Sequence, residues 1–145
     1  MREKPKDNWP ILLAKEVEAA VGRPFLWGEH DCCLFAANCV EAMTGVDPMA
    51  EFRGTYDDQA SAQEALETIG SGTLLETMKQ KFGEPKPAVA AKRGDLIYGV
   101  FPNGPALGVC LGAVAVFVGN EGDQHGLVRE PLENLAKAFE VIDHG

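Results

Sequence analysis

The hydrophobic pattern changes period part-way along the chain, and that change restricts the fold more than any other feature. Up to Phe82 the apolar residues recur at helical spacing. Beyond a Pro- and Ala-rich connector at 84–92 they fall into short Val-, Ile- and Leu-rich runs separated by glycine and proline. Helices first and a meander of strands second is the α+β pattern, with the helices packed on a small antiparallel sheet.

Four helices are expected. Asn8 caps the first, Pro10 sits early in it, and Ile11, Leu12, Val17, Ala20 and Val21 form its apolar face, which ends at Gly22. Asp31 caps the second, whose buried stripe is Cys32, Phe35, Ala36, Cys39, Val40 and Met43, closed by Gly45. The third starts at Asp57 or Asp58 and carries Ala62, Leu66 and Ile69. The fourth follows a capping-box pattern at Thr73 and Glu76, with Leu74, Leu75, Met78 and Phe82 inward. Strands are expected over Asp95–Val100, Leu107–Leu111 and Val114–Val118, with another at Leu127–Arg129. A short helix is expected from Pro131 through Ala138, then a last strand at Phe139–Ile142. No repeat interrupts the chain, so 1–145 reads as one domain with residues 1–9 flexible or extended.

Charge and length exclude several function classes. A net charge of −9 opposes a nucleic-acid backbone, because phosphate binding needs clustered Lys and Arg and only Arg2, Lys4 and Lys6 stand together. The apolar stretch from Val109 to Gly119 is too short to span a bilayer. No apolar run follows the basic opening as a signal peptide requires, so synthesis in the cytoplasm is expected. The 4 cysteines lack the paired C-x-x-C spacing of a zinc site, so free thiols and no metal or other cofactor are expected.

A cysteine in the first turn of a helix has a chemical advantage. The unpaired amides and the positive end of the helix dipole favour thiolate over thiol. Cys32 has that placement directly after the cap residue Asp31; Cys33 has it too, turned about 100° away. The plainer reading is that both are small core residues. Of the 3 histidines, His125 lies in the loop 120–126 and His30 two residues before Cys32, so each is a candidate base. His144 is expected to be disordered at the terminus. Phe25 and Trp27 are candidate walls of a binding cleft, with Asp31 beside them. Glu121-Gly122-Asp123 reads as a hydrophilic turn rather than a cation site, and Asp57-Asp58 as capping.

Three segments together resemble the NlpC/P60 cysteine peptidase domain. Phe25-Leu26-Trp27-Gly28 followed by Asp31-Cys32 is similar to the aromatic-x-Trp-Gly loop ahead of that family's nucleophile helix. Arg93-Gly94-Asp95-Leu96-Ile97 is similar to its Pro-Gly-Asp-Leu-Val strand. Leu107-Gly108-Val109-Cys110-Leu111-Gly112 is similar to the strand that in active members reads His-Val-Gly-Ile-Tyr-Leu-Gly. The likeness covers about 25–45 and 93–118 in the family's order. It is closer still to short NlpC/P60-like proteins of phage tails and phage-derived gene transfer particles.

The resemblance implies Cys32 as nucleophile, yet it aligns Ala106 with the family's catalytic histidine and places the third, orienting residue near Phe117 or Val118. Without a base within about 3 Å, the thiolate is not generated on demand and the leaving amine is not protonated. The missing base makes a structural role the expected one, and the resemblance to phage-tail proteins implies which: a tail-tip or tail-assembly protein on a degenerate scaffold, made in a host cytoplasm, carried in the virion tail and partnered by other tail or baseplate proteins. The alternatives are an active hydrolase of murein peptide, with His125 or His30 as base, and a cleft at Trp27 that binds peptide or glycan without turnover.

Overall fold

The computed structural model describes residues 2–119 and 126–144. Its helices are α1 (Trp9–Ala20), α2 (Cys32–Thr44), α3 (Gln59–Thr68) and α4 (Leu74–Phe82), and its strands are β1 (Lys86–Pro87), β2 (Leu96–Phe101), β3 (Gly104–Cys110), β4 (Val114–Val118), β5 (Leu127–Pro131) and β6 (Lys137–Phe139). The strands form one antiparallel sheet in the order β1-β6-β2-β3-β4-β5. The α+β expectation and the antiparallel meander of β2, β3 and β4 both hold.

Capping chemistry set most helix ends as expected. The Asp31 carboxylate accepts from the Leu34 amide and opens α2, and Gly45, at φ 84°, closes it. Asp58, rather than Asp57, caps α3 through a reciprocal pair with Ser61. The Thr73 hydroxyl accepts from the Glu76 amide at the start of α4. Asn8 precedes α1, but its side chain makes no capping bond there.

The apolar face of α1 departs from expectation. Leu13, Val17 and Ala20 are buried, whereas Ile11 and Val21 are among the most exposed large apolar residues, at 59% and 64%. A second departure follows Pro131. Leu132–Asn134 makes only a single 3₁₀ turn, and Lys137–Phe139 then returns to the sheet between β1 and β2. Pairing of Ala138 with Ile97 and Lys86 outweighs the weak helical pattern of this segment.

The sheet separates two apolar layers. On one face Leu96, Leu107, Val109, Val116, Val118 and Phe139 meet α1 and α2 in the main core. On the other, Ile97, Cys110, Ala115, Phe117 and Ala138 lie beneath Phe101, Ala106, Leu132 and Leu135. The period of two along β3 therefore sends Leu107 and Val109 toward α2 and Ala106 and Cys110 away from it.

Both ends of the chain are tied to this body. Glu3 bridges Ile142 in parallel, and the Lys6 amide donates to the Met43 carbonyl. The Asp95 carboxylate, fully buried, pairs with Lys86 at 2.9 Å and accepts from the Lys92 amide. His144, expected to be disordered, packs edge-on against Trp9 and lies 3.6 Å from Asp95. No helix among the described residues is long and apolar enough to cross a membrane.

Candidate functional site

The centre of the site is the Asp31 carboxylate, which is 1% exposed and holds three chain segments together. Oδ1 accepts from the Leu34 amide at 2.9 Å and so starts α2. Oδ2 accepts from the Gly28 amide at 2.9 Å and from the Tyr56 hydroxyl at 2.7 Å. Gly28 permits this closure in two ways: its φ is +81°, and a Cβ there would run into the Tyr56 carbonyl oxygen. The loop 25–30 is thereby fixed against the start of α2. Burial, with the neighbouring Asp31 charge, pushes the Tyr56 phenol far up, so it stays a donor.

Cys32 and Cys33 form the first turn of α2, half-buried, with their Sγ atoms 3.9 Å apart. Hydrogen bonding from Cys33 holds the Cys32 thiol below its ordinary range; burial opposes this, and the Leu107 backbone adds a further donor. Cys33 is pushed up in turn, because its own S–H donates to the Cys32 sulfur and burial further disfavours its thiolate. Cys39, deeper in the same helix, is fully buried and raised by desolvation. Helix placement is common to both thiols, and it is the hydrogen bond between them that makes Cys32 the more acidic.

Both thiols open on a cleft of about 160 Å³ between α2, α3, α4 and the β2–β3 turn. Buried side chains make its floor: Leu34, Met49, Phe52, Leu74 and Thr77. Exposed ones make its rim: Gln59, Gln63, Asn103 and Pro105, with half-buried Trp27 beside them. Of the expected binding residues, Trp27 lines the cleft. Phe25 supports it from behind, ring edge to face at 4.8 Å, and Asp31 acts through the capping network. Tyr56, Gln59 and Gln63 were not singled out in the sequence, since only the fold brings 56–63 back over the start of α2.

No histidine lines this cleft among the described residues. His30 is 2% exposed; its ring lies edge-on to Phe35 with centroids 6.2 Å apart, and both ring nitrogens lack a hydrogen-bond partner. Burial lowers its pKa, Arg23 lowers it further, and Asp31 opposes the change. His125 lies outside the described residues, as does the turn Glu121-Gly122-Asp123.

The strand positions carried over from the resemblance are apolar in space as well as in sequence. Ala106 packs on the far layer of the sheet, so the β3 residue that reaches the cleft is Pro105. Phe117 also faces the far layer, and Val118 faces the near one. A thiol with favoured ionisation therefore stands in a mainly apolar cleft with no imidazole beside it among the described residues. Such an arrangement supplies a candidate nucleophile without a neighbouring imidazole to relay protons among the described residues.

Comparison with known proteins agrees with the fold. Among solved structures, the crystal structure of the NlpC/p60 domain of the peptidoglycan hydrolase SagA superposes with a TM-score of 0.53, covering 90% of this chain and 97% of that domain at 17% identity. The likeness shows an NlpC/P60 fold. No curated protein matches the sequence. The family described as Domain of unknown function (DUF6950) matches residues 4–141, nearly the whole chain, and the chain belongs to that family.

Proposed function

We propose that this chain is a structural component of a phage or prophage-derived tail, a tail-tip or tail-assembly protein whose degenerate NlpC/P60 cleft holds a peptide without cutting it. The observation that carries the loss of turnover is the surrounding of Cys32. Cys33 and the Leu107 backbone adjoin the sulfur, Pro105 lines the same cleft, and the described lining residues include no histidine. Peptide hydrolysis needs that group twice, to take the thiol proton and to protonate the leaving amine. The tail placement is supported by the resemblance over 25–45 and 93–118, and the partners it implies are other tail or baseplate proteins.

One observation favours a second reading. Cys32 has its ionisation favoured, as a nucleophile requires, and SagA, of similar fold, is a peptidoglycan hydrolase. In that reading the chain cuts murein peptide with Cys32 as nucleophile and His125 as base.

Purified chain incubated with murein sacculi distinguishes them. The structural role expects no new amino groups, and a phage encoding Cys32→Ala that assembles tails and infects at the normal level. Release of amines that disappears in Cys32→Ala overturns it in favour of the hydrolase.

A further inference from the structure

Given a cleft that holds peptide, the next question is what side chain it receives, and the lining answers in chemical terms. The floor of Leu34, Met49, Phe52, Leu74 and Thr77, with half-buried Leu66 beside it, carries no charged group beyond the sequestered Asp31 carboxylate. Among the described lining residues there is no Lys or Arg. An acidic side chain entering here loses its hydration, meets no cation, and approaches Asp31 in a chain of net charge −9.

Size narrows the choice further. The cleft measures about 160 Å³. An apolar cavity of about 150 Å³ is enough to hold a benzene ring. One aromatic or large aliphatic side chain is accommodated in that space. The exposed amides of Gln63 and Asn103 stand at the rim, where a bound backbone keeps its hydrogen bonds.

We infer that the pocket beside Cys32 is a recognition site for a polypeptide segment presenting one uncharged aromatic or large aliphatic side chain, and that it rejects acidic peptides. The inference rests on the peptide-holding reading above and adds the class of side chain. Murein stem peptides, which carry free carboxylates, are the wrong chemistry for this floor.

Graded thiol-reactive probes test it on the full chain. Chloroacetamide, N-benzylchloroacetamide and N-chloroacetylglutamate are compared by the rate of Cys32 adduct formation, located by mass spectrometry. The benzyl probe is expected to react at least about tenfold faster than chloroacetamide, the lower end of what burying one ring supplies. The glutamate probe is expected to be the slowest. In Ala62→Phe, which fills the pocket from α3, the benzyl-to-parent ratio falls to about one. In Leu66→Ala, which enlarges it, a naphthylmethyl probe gains on the benzyl one. A ratio near one in the unaltered chain, a glutamate probe that is fastest, or a folded Ala62→Phe that keeps the ratio overturns the inference. The sacculus assay tests turnover without reference to this ratio, so the two readings fail separately.

Discussion

The Tyr56 hydroxyl donates a 2.7 Å hydrogen bond to Asp31 Oδ2 across a separation of 25 residues. It joins the segment ahead of α3 to the carboxylate that starts the cysteine helix, and so closes one side of the cleft.

Tyr56→Phe removes one donor from a buried carboxylate while keeping the ring. A hydrogen bond to a charged group contributes about 1.5–3 kcal/mol, so urea unfolding is expected to show a loss in that range. Asp31→Ala is expected to cost more, because it also deletes the cap of α2 and strands the Gly28 amide. Equal, negligible losses in both variants would show that the network does not organise the site.

Gly28 and Gly22 share a φ of +81° but differ in surroundings, since a Cβ at Gly22 meets nothing within 4 Å. Alanine at Gly22 is expected to cost only the left-handed backbone penalty, about 1–2 kcal/mol. Alanine at Gly28 must also displace the Tyr56 carbonyl and is expected to cost clearly more. The difference between the two unfolding free energies is the readout, and similar values refute the close approach.

His30 sets a pH dependence of known sign. Its folded pKa lies below the ordinary histidine value of about 6.5, because burial penalises the imidazolium. The unfolded chain therefore binds the proton first. Stability contributed by neutral His30 is complete above about pH 6.5 and declines as pH falls from there toward the folded pKa. Urea midpoints measured between pH 7.5 and 5 are expected to fall more steeply in the unaltered chain than in His30→Leu. Parallel curves would remove His30 as the cause.

Cys33 is expected to govern the acidity of Cys32. Hydrogen bonding from Cys33 is the largest influence lowering the Cys32 thiol. The pH midpoint of Cys32 alkylation should lie below the free-thiol value of about 8.5 and rise in Cys33→Ala. Cys33→Ser retains a donor and should restore part of the shift. An unchanged midpoint in Cys33→Ala would assign the effect to the helix terminus alone.

Local chemistry was legible wherever neighbouring residues decided the outcome. Asp31, Thr73 and Gly45 mark helix ends because a short acceptor or an absent Cβ acts within one turn. Strands over 95–100, 107–111 and 114–118 were visible because β-rich runs and a Pro-Asn-Gly turn are adjacent in sequence, although β3 begins earlier than expected, at Gly104. The segment after Pro131 misled, since its helical spacing was overruled by pairing with β2, more than thirty residues earlier in the chain. Ile11 misled for a similar reason: which side of a helix is covered depends on what packs there.

The sequence by itself determined that a cysteine opens a capped helix beside an antiparallel meander, because caps, turns and hydrophobic periods are local interactions. Only the tertiary structure decided that His30 is buried away from the cleft, that Pro105 rather than Ala106 reaches it, and that Tyr56 completes the Asp31 network. Those outcomes depend on strand phase and on contacts between segments far apart in the chain, which residue spacing does not encode.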